Sequence, residues 1–297
     1  MEHNTKGQSF ALLFFTFFIW GSVYVAGKLI ADDLPPALVA CLRCCAALLP
    51  LRLMSRRERG VVICQEDRKY FALVGILGYF LTIFLIQLGI SLTGAAMASL
   101  INALTPVAVT VLAALMLKEA ITPVKIVCLA LALAGAAVIT CGAGTQQETV
   151  GIFVVLGAVL SWGFASVFMR RLTAKYPPIL VTTYGISVSL IFHIPVGLFS
   201  AVTQPVRFSL KALLVILYLG FFGSGVSQFT WTKCLSLLPA STCSLFYPLQ
   251  PVFAALLGIW LLGEPLTPAF CIGLFLISLD VVLSTLDVKS ASAAENR

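Results

Sequence analysis

The sequence predicts an all-α integral membrane protein: ten transmembrane helices in two inverted-topology five-helix repeats. Three observations carry this reading: apolar runs of membrane-spanning length, a one-sided distribution of Lys and Arg, and a repeat that maps the first half of the chain onto the second. Of 297 residues, 60% are hydrophobic and only 10% are charged, which excludes an ordinary water-soluble domain. Hydrocarbon offers backbone N–H and C=O groups no water, so only helices or closed barrels span it. The apolar runs are too long and unbroken for barrel strands. The net charge of +7 sits in short loops between those runs, which orients a membrane protein and provides no nucleic-acid face.

The first run, from Phe10 to Ile30, is longer than a signal-peptide core and lacks a small-residue cleavage site, so it reads as the first helix. Spans follow at 9–30, 35–54, 70–91, 94–117 and 123–141, then at 150–170, 178–201, 211–234, 240–262 and 267–286. The third and fourth form one apolar stretch broken only by Thr93-Gly94, and the eighth and ninth one broken only by Pro239-Ala240. At about 1.5 Å rise per residue, a single helix of either length would overshoot a ~30 Å hydrocarbon core about twofold, so each is a hairpin.

With the N-terminus in the cytoplasm, fifteen of the nineteen Lys and Arg fall on inner segments, among them Arg52, Arg56, Arg57, Arg68, Lys69, Arg170, Arg171 and Lys175. Lys28, Arg207 and Lys211 fall outside, and Arg43 lies within a span. The positive-inside rule then places both termini in the cytoplasm.

The chain also repeats itself. Gly75, Gly78, Ser99-Leu100, Pro106-Val107, Glu119 and Thr122-Pro123 recur 145 positions later, as Gly220, Gly223, Ser244-Leu245, Pro251-Val252, Glu264 and Thr267-Pro268. Upstream, Trp20-Gly21 and Pro35-Pro36 recur at a spacing of 142, as Trp162-Gly163 and Pro177-Pro178. The boundaries are residues 1–141 for the first repeat, 142–149 for an external linker and 150–297 for the second repeat with a short tail. Five spans is an odd number, so the second repeat enters the membrane upside down. Inverted repeats of this kind build alternating access around a midplane site.

Trp20-Gly21, Pro35 with Arg43, Ser99 to Pro106, and Lys118 to Pro123, with Trp162-Gly163, Ser244 to Pro251 and Gly263 to Pro268 in the second copy, carry a resemblance. The chain resembles the EamA family of the drug/metabolite transporter superfamily over essentially its whole length. Gly185 stands where Arg43 would recur, and Lys118 stands where Gly263 would. The resemblance implies a ten-helix exporter or exchanger of small metabolites, often amino acids or related compounds, with its cavity between the repeats. The expected setting is a bacterial plasma membrane, with the lipid bilayer and a small-molecule solute as partners.

Polar residues in hydrocarbon are the best pointers to a path, since each needs a cavity or a partner. Ser99, Asn102, Ala103 and Pro106 share one helical face, and Ser244, Tyr247, Pro248 and Pro251 share the matching face of the ninth span. Tight packing of small residues is the alternative explanation of these stripes. Trp20 and Trp162 can wall a cavity, with Tyr24 and Ser166 one turn further on the same faces. Ser224, Gln228 and Trp231 show helical spacing in the eighth span, and Gln87 adds a buried polar group in the third. The predicted substrate-binding residues are therefore Trp20, Tyr24, Gln87, Asn102, Trp162, Gln228, Trp231 and Tyr247. Arg43, at a helix-centre cost of about 2.5–3.5 kcal/mol, has a structural partner such as Asp280 or a solute anion. His193 and Asp280 are the buried residues of a type that carries protons, and Glu119 and Glu264 read as helix-end residues.

Other chemistry finds no support. The sequence has no GxxxxGK[ST] and no HExxH, and its histidines are His3 and His193, so neither nucleotide drive nor a metalloenzyme is expected. Most of the cysteines fall within or beside apolar runs and read as buried thiols; Cys41, Cys44 and Cys45 make an incomplete zinc set. No cofactor is expected.

Overall fold

The computed structural model describes residues 2–58, 60–118, 145–244, 246–247 and 249–263, together with isolated positions between 123 and 130 and between 268 and 279. Among them, eight helices are long and apolar enough to cross a membrane. In the first repeat these are α1 (Glu2–Leu29), α2 (Pro36–Ser55), α3 (Gln65–Thr93) and α4 (Ala95–Leu117). In the second they are α5 (Gln146–Thr173), α6 (Pro178–Thr203), α7 (Leu210–Leu237) and α8 (Ala240–Leu262). Apart from those isolated positions, the spans expected at 123–141 and 267–286 lie outside the described residues, as do Glu119, Glu264 and Asp280.

Local chemistry sets the helix starts and stops. Pro36 and Pro178, one repeat apart, open α2 and α6 at the position where a missing N–H is harmless. Thr145 and Glu148 form a reciprocal capping box that starts α5 several residues before its apolar run. Gly94, at φ +85°, breaks the stretch between α3 and α4. Lys118 and Gly263, again one repeat apart, both end their helices in the left-handed region, at φ 58° and 62°.

Packing reproduces the repeat. α2 lies antiparallel against its counterpart α6: Thr183 Oγ1 donates to the Leu51 carbonyl, while Cys41 at the far end packs on Gly197. Because these helices are equivalent, the second repeat is inverted relative to the first. The repeats also interlock, α1 lying on α7 and α8, and α5 on α3 and α4. Gly21 in α1 lets the backbone of α8 approach at Phe253, and Gly163 in α5 admits Ala108 of α4 in the equivalent place. Gly75 against Val188 and Gly220 against Ala46 form a second matched pair. At Gly21, Gly75 and Gly220 a Cβ would overlap its neighbour, and at Gly163 it would stand in tight contact, 3.0 Å from Ala108.

Two irregularities recur at the repeat spacing. Val74–Leu81 of α3 and Leu219–Val226 of α7 are π-helical, a geometry that widens a helix and is frequent at functional sites. α4 and α8, predicted as continuous spans, are interrupted. α4 consists of Ala95–Asn102 and Thr105–Leu117, and α8 of Ala240–Ser244 and Leu249–Leu262. The cause is proline at the fourth position after a carbonyl: Pro106 cannot donate to Asn102, nor Pro251 to Tyr247. Thr105 Oγ1 bonds the Asn102 carbonyl at 2.6 Å instead, and the Gln250 N–H bonds that of Tyr247 at 2.9 Å.

Phe14, Leu49, Phe153, Leu198, Phe199, Leu214 and Trp260 face outward, as a hydrocarbon-solvated surface requires. Cys41, Cys44, Cys234 and Cys243 are buried thiols as expected, but Cys45 and Cys271 are exposed. A sulfur facing lipid is as apolar in its surroundings as one facing the core. At the two ends of the bundle an ion pair joins the repeats: Asp33 to Lys211 at 3.0 Å on one side, Lys175 to Asp67 at 3.1 Å on the other. Asp33 and Lys175 are equivalent positions, so the repeat has exchanged the signs.

Candidate functional site

A cavity of about 60 Å³ lies between the repeats. The first repeat contributes Trp20, Val23 and Tyr24 from α1, Arg43 from α2, Thr82, Ile83 and Ile86 from α3, and Asn102 from α4. The second contributes Trp162 from α5, Gln228 from α7, and Tyr247 and Gln250 from the α8 region. Three equivalent pairs meet here: Trp20 with Trp162, Ile83 with Gln228, and Asn102 with Tyr247. The cavity therefore sits on the axis that relates the repeats. The π-helical segments end immediately before Thr82 and Ser227, so the altered helical register leads directly into the lining residues of α3 and α7.

One wall is aromatic. Trp20 and Trp162 stand edge to face with ring centres 5.7 Å apart, and Tyr247 lies 5.9 Å from Trp20. Phe17 braces Tyr247 from behind at 4.8 Å, which fixes the ring without exposing it further. A second group of lining residues is polar. Asn102 Nδ2 donates to Gln250 Oε1 at 2.9 Å, tying the interrupted region of α4 to that of α8 across the repeats. Gln228 Oε1 has no hydrogen-bond partner among the described residues, a condition that a buried acceptor avoids unless water or a solute supplies the donor.

Arg43 is the one charged residue among the described lining residues. It is 3% exposed, and its Nε donates to Ser224 Oγ at 2.7 Å. The ion pairs among the described residues lie at the ends of the bundle and leave the guanidinium without a carboxylate. Gly223 gives the fork room, since a Cβ there would come within 3.0 Å of Nη2.

Seven of the nine predicted residues line the cavity: Trp20, Tyr24, Arg43, Asn102, Trp162, Gln228 and Tyr247. Two do not. Gln87 packs beneath Gly27, and Trp231 is fully buried behind Trp20 and Tyr247, at 5.5 and 5.6 Å between ring centres. Ser166 is buried outside the lining as well, and His193 Nε2 lies 3.0 Å from the Tyr79 carbonyl, an interior bond. Gln250, Thr82, Ile83, Ile86 and Val23 were not anticipated. Gln250 is one turn beyond Tyr247 and directly before Pro251, a placement that the proline-bearing stripe could have suggested.

Comparison with known proteins adds the family. The EamA-like transporter family matches residues 8–141 and again 149–286. The chain belongs to the EamA-like transporter family. An uncharacterized transporter of Clostridium kluyveri is 25% identical to this EamA-like protein, over 97% of this chain and 95% of its own. The uncharacterized transporter YetK of Bacillus subtilis is 24% identical, over 93% and 86%. A protein of Streptantibioticus cattleyicolor named "probable terminal-alkyne amino-acid exporter" is 28% identical, over 88% of each chain. A solved crystal structure superposes with a TM-score of 0.72 at 20% identity, over 94% of this chain and 98% of that one, a likeness of fold. This EamA-like transporter is thus a multi-pass integral membrane protein.

Proposed function

We propose that the protein is a secondary transporter that exports or exchanges a small metabolite, such as an amino acid or related compound, by alternating access of its two inverted repeats. The observation that carries this reading is the meeting of three equivalent residue pairs in one cavity. A binding place on the axis of an inverted repeat offers the solute the same contacts whichever end is open. The named amino-acid exporter among the relatives supports the solute class.

The proposal includes ten spans, divided into residues 1–141 and 150–297 about an external linker at 142–149, in a bacterial plasma membrane with both termini cytoplasmic. Its support is parity together with charge. α6 runs opposite to α2, so α4 and α5 run the same way, which calls for one more crossing between them. The substrate-contacting residues are those of the cavity, with Trp231 and Gln87 in supporting positions.

Overexpression and deletion, with untargeted comparison of metabolites inside and outside the cell, identify the solute; the purified protein in liposomes then shows saturable, stereoselective counterflow of it without nucleotide. Single-channel conductance in place of counterflow would refute alternating access. Reporter fusions at Arg57 and Gly144 report on opposite sides; a shared side removes the ten-span topology.

A further inference from the structure

We infer that Arg43 anchors a carboxylate on the transported solute, while the rings of Trp20, Trp162 and Tyr247 receive its apolar body. This rests on the transporter reading above and adds the class of solute.

Among the described residues, the charge of Arg43 is unbalanced. Arg43 is almost wholly enclosed, lines the cavity, and makes one hydrogen bond among the described residues, from Nε to Ser224. That bond holds the guanidinium plane and leaves the two terminal nitrogens, whose paired N–H groups match the two oxygens of a carboxylate. The surroundings are arranged to keep the fork free. Gly223 removes the side chain that would crowd Nη2, and Ser224 supplies a neutral acceptor where an acid would have quenched the charge.

The rest of the lining narrows the class. Beside one cation stand Asn102, Gln228, Gln250, Thr82 and Tyr24, all neutral, and no Asp or Glu is among the described lining residues. One cation balances one negative charge; a phosphate dianion would bury an uncompensated one. A solute ammonium would meet neutral partners, the ring faces and amide oxygens such as Gln228 Oε1, and no countercharge among the described residues, so the carboxylate is the charged group that the site requires and an amino group is an addition to it. The aromatic wall, with Ile83, Ile86 and Val23, calls for an apolar body.

Three compounds sharing a phenyl body test this: 3-phenylpropionate, phenethylamine and phenyl phosphate. None absorbs where tryptophan is selectively excited, so each is titrated into the purified full-length protein in detergent and followed by intrinsic tryptophan fluorescence. The expected result is saturable quenching by 3-phenylpropionate, with phenethylamine and phenyl phosphate each weaker by about tenfold or more, the loss that follows from an unpaired or excess buried charge. Arg43→Gln weakens 3-phenylpropionate by about tenfold or more, and Arg43→Lys by less. Asp280→Asn, which removes the other carboxylate suggested for Arg43, leaves the affinity unchanged. The inference is overturned by absence of quenching with 3-phenylpropionate, by equal or tighter binding of the amine or the phosphate, by undiminished binding in an Arg43→Gln protein that melts like the parent, or by altered affinity in Asp280→Asn. The wild-type ligand series decides even where a variant does not fold. Because binding is read without transport, failure here leaves transport to be judged by metabolite redistribution.

Discussion

Arg43 and Ser224 are joined at 2.7 Å between the second helix of one repeat and the third helix of the other, and the repeat carries this pair onto Gly185 and Tyr79. A large residue faces a small one in both places, with the large partner on opposite helices. The duplicated frame thus accommodates an arginine in one half by giving up bulk across from it. In the other half, Tyr79 fills the same volume from the other side. That exchange makes the cavity chemically asymmetric while its backbone remains symmetric.

The pairing predicts strain at Gly185. A Cβ there would overlap the edge of the Tyr79 ring, a rigid group in a packed interior. Gly185→Ala should lower stability by about 1–3 kcal/mol, the range for overpacking, read as a lower melting temperature in detergent. Tyr79→Ala in the same chain should recover part of the loss, making the two changes non-additive. Strict additivity would separate the residues energetically.

The two ion pairs should not contribute equally. Asp67 has a side chain only 4% exposed and accepts from Lys175 and from the Tyr176 hydroxyl at 2.9 Å, whereas Asp33 is 24% exposed. Asp67→Asn should therefore lower the melting temperature more than Asp33→Asn. Added salt should weaken the Asp33–Lys211 contribution first, since exposed pairs are the more screened. A larger effect at Asp33 would reverse the ranking that burial gives.

Lys118 ends α4 in the left-handed conformation that Gly263 adopts in the other repeat. A side chain there costs about 1–2 kcal/mol, which glycine avoids. Lys118→Gly should raise the melting temperature without affecting solute binding, and Gly263→Ala should lower it. A destabilised Lys118→Gly would mean that the lysine side chain contributes more than its backbone strain.

Much of this frame was legible in the sequence because duplication leaves ordered identities, such as Trp20-Gly21 with Trp162-Gly163, and because hydrocarbon demands long apolar helices. What escaped has physical reasons. A π-helical turn at Val74–Leu81 changes which carbonyl an N–H meets, not which residues are apolar. The breaks in α4 and α8 were marked only by Pro106 and Pro251, which also occur in kinked but continuous helices. Gln87 and Trp231 were placed on the right helices, yet a helix enclosed by neighbours has several buried faces, and periodicity does not say which one meets the cavity. Gln250 escaped because its counterpart, Thr105, is a hydroxyl spent on its own helix.

A functional wall differs from a structural one in what its loss impairs. Trp20→Ala, Asn102→Ala and Tyr247→Ala remove residues that line the cavity, so each should reduce transport more than it reduces the amount of protein in the membrane. Loss of Asn102 also strips Gln250 Oε1 of its donor at 2.9 Å. Gln250→Ala should then impair transport to a similar degree, and the double variant should be little worse than either single one, because both break the same bridge between α4 and α8. Transport per inserted molecule, measured for the identified solute, is the readout. Normal transport in all three wall variants would place the path elsewhere in the bundle.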